Sequence, residues 1–300
     1  MEFLANIKTS PARKISGAVL GEFIGTFMFL LCGFIGAQST VLYTRALDTD
    51  KPPPDIATLV PLRFLYIAFA FGLGLTVNVW VFYRVSGGMF NPAVTLGLVF
   101  VGAVSPRRAL AIVPTQLLAG IAAAGVVASL LPSPLFITTI LSPQTSVAQG
   151  VLLEMLFTAQ LVLTVYLLAV EKHRATFLAP IGIGASLFVG HVASIGLTGA
   201  SMNPARSFGP ALLVNFPKYH WIYWVGPFAG ALLAYIIYST LKWLDYEAAN
   251  PGQDDDNVER LPDRVAIVPR DGRKGSRSPA AELVFNIRDD EARIVDPPRT

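Results

Sequence analysis

Asn91-Pro92-Ala93-Val94-Thr95 and Asn203-Pro204-Ala205-Arg206-Ser207-Phe208-Gly209 decide how this chain folds, because each opens an apolar run too short to cross a membrane. The runs, at about 91–100 and 203–214, hold about ten residues each. At 1.5 Å per residue a helix of that length reaches about 15 Å, half of a bilayer's hydrocarbon core. Asparagine is a favoured helix N-cap. Proline suits the first helical position, where the N–H it lacks would have had no partner. Each motif therefore reads as a helix start, and each short helix as half a span. Two such halves entering from opposite sides would make one composite crossing.

The second motif follows the first by 112 positions, and the same offset superposes Gly87 on Gly199 and Gly97 on Gly209. A slightly different shift lays Ala119-Gly120 on Ala229-Gly230, while Glu22 and Glu154 each fall early in the first span of their half. Average residue usage places one Asn-Pro-Ala in roughly one chain in twenty of this length. Two at matched positions of two similar halves are a repeat. Each half carries three full spans, an odd number, so the second copy must enter the membrane inverted. Inverted repeats put the functional site near the midplane, where half-helix ends meet.

The full spans are six apolar stretches, roughly 15–38, 61–83, 108–131, 147–170, 177–197 and 219–243, each near the 20 residues a bilayer requires. Pro52-Pro53-Pro54, Pro132 with Pro134, Arg107-Arg108 and Lys172-His173-Arg174 punctuate them. Tyr219, Trp221, Tyr223 and Trp224 cluster where an interfacial aromatic belt would lie. The expected fold is an all-α membrane protein of six transmembrane helices and two re-entrant half-helices. It divides into a short N-terminus (1–14), a helical body (15–244, with repeats at about 15–131 and 147–243) and a polar tail (245–300).

Composition agrees. Only 14% of residues are charged, against about 25% in a typical soluble domain, and thirteen of the twenty acids lie from Asp245 onward. A net charge of +3 could suggest nucleic acid, but the basic residues form short clusters between apolar runs and no continuous stripe. Nucleic acid is excluded as a partner. The first apolar run is too long for a signal-peptide core and is expected to remain as a helix. Cys32 lies inside that run and reads as a buried small hydrophobe. No metal-ligand spacing, nucleotide loop or paired catalytic carboxylates stand out, so neither a metal, a cofactor nor an enzymatic activity is expected.

Lys8, Arg13, Lys14, Arg84, Arg107, Arg108, Lys172 and Arg174 share one side if the N-terminus is cytoplasmic, against fewer on the other. The excess of Lys and Arg inside favours that orientation, and an even number of spans returns the C-terminus to the cytoplasm. The tail mixes acids, bases, Pro and Gly without periodicity and reads as mostly disordered. Ser276 and Ser278, beside Arg273-Lys274 and before Pro279, are candidate phosphate acceptors.

With these motifs in place, and with Glu22-Phe23-Ile24-Gly25-Thr26 and Ser86-Gly87-Gly88 beside them, the chain resembles the major intrinsic protein family over roughly 15–244. Within that family it is similar to an orthodox, water-selective aquaporin of fungal type. The resemblance implies a homotetramer with one pore per protomer, in the plasma membrane or an internal one. Position by position, it places an aromatic/arginine constriction at Phe71, His191, Ala200 and Arg206. The glycerol-conducting branch carries a small residue in place of this histidine and an acid after the arginine, where this chain has Ser207.

The expected activity is passive water flow down an osmotic gradient. Arg206 and the positive ends of the two half-helices would repel cations and hydronium. Asn91 and Asn203 would each donate an amide N–H to one passing water. Glu22 and Glu154 are expected to accept backbone N–H groups of the re-entrant segments, because non-helical backbone at membrane depth needs partners inside the protein. A pore for hydrogen peroxide is the nearest alternative, glycerol passage a weaker one. An adhesion or scaffold protein with negligible transport is the alternative of a different class.

Overall fold

The computed structural model describes residues 11–46 and 56–249. Among the described residues there are helices and no strand, in the order α1 (Pro11–Ala46), α2 (Ile56–Phe82), α3 (Pro92–Phe100), α4 (Pro106–Leu130), α5 (Val147–Val165), α6 (Ala179–Thr198), α7 (Pro204–Leu213), α8 (Ile222–Trp243) and α9 (Tyr246–Ala249). A π-helical turn, Tyr166–Val170, extends α5, and a 3-10 turn, Arg174–Leu178, leads into α6. Six of the helices are long and apolar enough to cross a membrane, and the six expected spans fall on them. The two short runs are the helices α3 and α7. The candidate phosphate acceptors Ser276 and Ser278 lie outside the described residues.

The packing follows the repeat. Within the first half α1 packs on α2 and α4, and within the second α5 packs on α6 and α8; α2 and α6 join the halves. The half-helices cross over: α7 packs chiefly on α4, and α3 chiefly on α8, each against the last span of the other half. Close approach of backbones makes this exchange possible. A Cβ added to Gly120 of α4 would lie 2.6 Å from the Ala205 carbonyl oxygen of α7, so α4 touches the half-helix through main chain. Small residues at such crossings are how membrane helices pack when lipid offers no hydrophobic gain from association. Gly120→Leu is expected to push α7 off α4 and to cost about 1–3 kcal/mol or more. Thermal denaturation in detergent reads this, and an unchanged midpoint would show that α7 tolerates the shift.

Three expectations change. Cys32 is exposed on the outer face of α1, not buried; a membrane helix is apolar all round, so an apolar run does not tell which face is core. Tyr223 is fully buried, and its hydroxyl donates to Thr198 O at 2.8 Å, so it belongs to the core and not to an interfacial belt. Glu22 sits about three turns into α1, deeper than the early place expected, because that helix begins at Pro11.

Candidate functional site

Each Asn-Pro-Ala motif builds a helix start as its residue types dictate. Asn91 and Asn203 are the N-caps of α3 and α7, with extended backbone and the proline at the first helical position. Asn91 Oδ1 accepts from Ala93 N at 2.8 Å and Asn203 Oδ1 from Ala205 N at 2.9 Å. The side-chain amides do a second job. Asn91 Nδ2 donates to Met202 O at 2.8 Å, and Asn203 Nδ2 donates to Phe90 O at 2.9 Å. Each asparagine thus ties the other's approach loop across the centre of the bundle. A primary amide has two N–H donors, so each keeps one more for whatever occupies the space between them.

The two approach loops are held from behind by carboxylates. Glu22 Oε1 accepts from Met89 N (3.0 Å) and Ser86 Oγ (2.7 Å), and its Oε2 from Phe90 N (2.9 Å) and Gln116 Nε2 (2.9 Å). Glu154 Oε1 accepts from Ser201 N (3.0 Å) and Thr198 Oγ1 (2.6 Å), and its Oε2 from Met202 N (2.6 Å). Ser86, Met89 and Phe90 correspond to Thr198, Ser201 and Met202 at the same 112-residue offset that relates the asparagines. Phe90 and Met202 both take the left-handed backbone, each with φ 51°. For a side-chain-bearing residue that conformation is strained and persists only where its surroundings over-determine it. Here the N–H is fixed by a carboxylate and the C=O by the opposite asparagine.

Toward one end of the bundle Phe71, His191 and Arg206 converge. The Phe71 and His191 rings stack with centroids 4.5 Å apart, and the Arg206 guanidinium carbon lies 5.0 Å from the centre of the Phe71 ring. Phe71 lies flush against Gly33 of α1, where any Cβ would overlap its ring. Arg206 is 3% exposed. It donates from Nε to Ala200 O (3.1 Å), from Nη1 to Ile137 O (2.6 Å) and from Nη2 to Gly199 O (3.4 Å). A guanidinium has five N–H donors, so two are left over. His191 Nδ1 lies 3.0 Å from Leu187 O. A carbonyl only accepts, so Nδ1 carries a proton, and Nε2 of a neutral ring would present a lone pair. That atom is buried and has no protein partner.

On the other side of the paired asparagines runs a narrow cavity of about 30 Å³, lined by Asn91 and Asn203 and by apolar walls that include Leu75, Val79, Val94, Leu161 and Ile183. A water-sized site needs roughly 10–15 Å³ on this measure, so the cavity suits a short file of small molecules. It shares Tyr83, Gly87, Met89, Leu98, Val165 and Ala169 with a wider vestibule of about 550 Å³ at the bundle's end. The vestibule also has Arg84, Arg108 and Lys172 on its walls. Charge at the mouth, an oily bore and two amide donors at the neck describe a path for a small polar molecule. Among the described residues no cluster of His, Cys, Asp or Glu could hold a metal.

The profile of the family described as major intrinsic protein matches residues 9–238. The chain belongs to that family. A curated relative from Gibberella zeae, "Aquaporin-1", is 58% identical over 86% of this chain and 79% of its own length. "Aquaporin-7" from Botryotinia fuckeliana is 48% identical over 83% of this chain, which spans only 54% of that relative. Among solved structures, the aquaglyceroporin from Plasmodium falciparum matches with a TM-score of 0.61 at 21% identity, over 77% of this chain and 99% of that one. This likeness concerns the fold alone. As a major intrinsic protein the chain is an integral, multi-pass channel protein and not an enzyme.

The candidate site residues within the described part of this major intrinsic protein lie in three places: Glu22 and Glu154 behind the approach loops, the two Asn-Pro-Ala motifs at the helix starts, and Phe71, His191, Ala200 and Arg206 toward one end. Sequence reading missed the residues that hold these in place. Gln38 donates from Nε2 to Pro132 O (2.9 Å) and Pro134 O (3.1 Å), and its Oε1 accepts from Phe136 N (2.8 Å). That fixes the loop whose Ile137 carbonyl pins Arg206. Phe34 places its ring 5.6 Å from the guanidinium on another side. Gln116 adds the fourth donor to Glu22. A glutamine alone in an apolar span is the one signal that could have marked Gln38 and Gln116, since a buried amide needs partners. Phe34 gave none.

Proposed function

We propose that this aquaporin-family chain conducts water passively, driven by osmotic gradients, and excludes ions, protons and glycerol. One observation supports the reading: Phe71 stacks on a histidine whose buried Nε2 has no protein partner, and an arginine pinned by three carbonyls lies beside that pair. A water molecule can donate to His191 Nε2 and accept from Arg206, replacing the hydrogen bonds it gives up on leaving bulk. A three-carbon polyol would have to displace the stacked Phe71–His191 pair. At the neck, a water accepting from both asparagine amides turns its hydrogens away from its neighbours in the file, which opposes proton relay. The positive ends of α3 and α7 add about half a charge each against any cation.

The same reading puts both termini in the cytoplasm, on the balance of Lys and Arg between loops, with the protein in the plasma membrane or an internal one. It takes residues 15–244 as the channel unit and, from the family resemblance, four copies as the assembly. Stopped-flow shrinkage of proteoliposomes tests the pore. Water permeability well above that of empty vesicles, with no gain in glycerol entry, is the expected result; no gain for either would leave a scaffold. His191→Gly removes one wall and is expected to raise glycerol entry about tenfold or more, the scale of losing roughly 1.4 kcal/mol of steric barrier. Hydrogen peroxide uptake measured beside water ranks the second small solute, since its size and polarity are close to those of water. If the variant's selectivity matched the parent's, His191 would not be at the constriction.

A further inference from the structure

A second polar site lies beside the vestibule, at the N-terminal ends of α1 and α4. There a pocket of about 390 Å³ is lined by Arg13, Lys14 and Arg108, by Ile15 and Val85, and by Gly17 and Ala18. We propose that it binds the phosphate of an anionic lipid headgroup, with the lipid's first methylenes against Ile15 and Val85.

Four features of the pocket point to that ligand. Among the described residues its lining holds Lys14 and Arg108 beside Arg13, and no carboxylate. Two long helices, of 36 and 25 residues, begin beside it, and the positive ends of helices favour anions. Arg108 spends one donor on Ser86 O at 2.7 Å, while its Nε is buried with no protein partner. An orphaned buried donor asks for a ligand, and a phosphate oxygen accepts from a guanidinium edge in the required geometry. The fourth feature separates a lipid from a free phosphate. The pocket has an apolar wall in Ile15 and Val85, both exposed. A soluble anion has no use for that wall; an acyl chain does. Basic pockets between membrane helices near the headgroup level are where anionic lipids are held.

The site is next to the channel. Val85 and Arg108 line both this pocket and the vestibule of the half-channel, and Ser86, which Arg108 holds, is bonded to Glu22 behind the first asparagine loop. A bound headgroup therefore sits one side chain away from the re-entrant segment.

The test is native mass spectrometry of the full chain in detergent, offered phosphatidylglycerol or phosphatidylcholine, with the variant Lys14→Ala as comparison. The substituted side chain is exposed at the helix end, so the fold should survive. The expected result is retention of phosphatidylglycerol over phosphatidylcholine, weakened roughly fivefold in the variant. Equal retention of the two lipids, or no loss in the variant, overturns the proposal. Displacement of phosphatidylglycerol by millimolar inorganic phosphate overturns the lipid assignment, because the acyl contacts would then contribute nothing. The readout involves no flux, so its outcome is independent of which solute the pore carries.

Discussion

Replacing Glu154 by alanine is expected to remove on the order of 5 kcal/mol of stability, because three buried donors lose this acceptor at once. Two of them, Ser201 N and Met202 N, are main chain and cannot turn elsewhere; the third is Thr198 Oγ1. Hydrogen bonds to a charged group contribute about 1.5–3 kcal/mol each, and a donor left unpaired in a buried site costs a similar amount. No bulk water reaches this depth to substitute. A loss of that size is a large share of the roughly 5–15 kcal/mol by which a folded protein outweighs its unfolded state. Glu154→Gln separates acceptor chemistry from volume: it fills the same space but turns an NH2 toward donors, so it should be nearly as damaging as alanine. The measurement is the temperature at which the monodisperse peak disappears in size-exclusion chromatography after heating. A glutamine variant as stable as the parent would show that Glu154 fills space and holds nothing.

The periodic and local parts of this architecture were legible in the sequence because they depend on local rules. Asn-Pro at the head of an apolar run is a helix start wherever it occurs, so α3 and α7 were readable from three residues each. Run length against bilayer thickness gave the six spans. Repetition gave the inversion by counting. The buried carboxylates stood out because an acid in an apolar span has to be partnered.

What stayed hidden is set by contacts between distant segments. Nothing local says that the amide of Asn91 reaches Met202 O, or that Asn203 reaches Phe90 O, 111 and 113 positions away. The strained backbone at Phe90 and Met202 was equally unreadable, since neither is a residue that favours the left-handed region. The π-helical turn at Tyr166–Val170 closes through Glu171 N to Tyr166 O at 2.9 Å. At its start the Tyr166 hydroxyl donates to Gly97 O at 2.6 Å, at the tail of α3. An aliphatic run with one tyrosine does not announce either bond. Cys32 shows the complementary failure: in a lipid-facing helix hydrophobicity no longer separates inside from outside.

Arg206→Val should leave water flow largely intact and let protons through. The substitution removes a fixed positive charge from the ring. It also strips the donors from Ala200 O, Ile137 O and Gly199 O, so three carbonyl dipoles are left facing the gap with their negative ends unpaired. A unit charge about 4 Å from a passing cation opposes it by roughly 4 kcal/mol at an effective dielectric constant of 20. The half-charges at the starts of α3 and α7 remain, so the full barrier is not lost. A rise in proton conductance of about a hundredfold, some 2.7 kcal/mol, is the reasonable expectation. Arg206→Lys distinguishes charge from geometry. Lysine keeps the positive charge but cannot bridge three carbonyls with a planar fork. If charge does the excluding, the lysine variant stays proton-tight while losing thermal stability. If the pinned shape of the ring matters more, it leaks as valine does. Collapse of a pH gradient across proteoliposomes, followed with an internal dye beside an osmotic-shrinkage control, reads both. A valine variant as proton-tight as the parent would move the whole of cation exclusion to the paired half-helix ends at the neck.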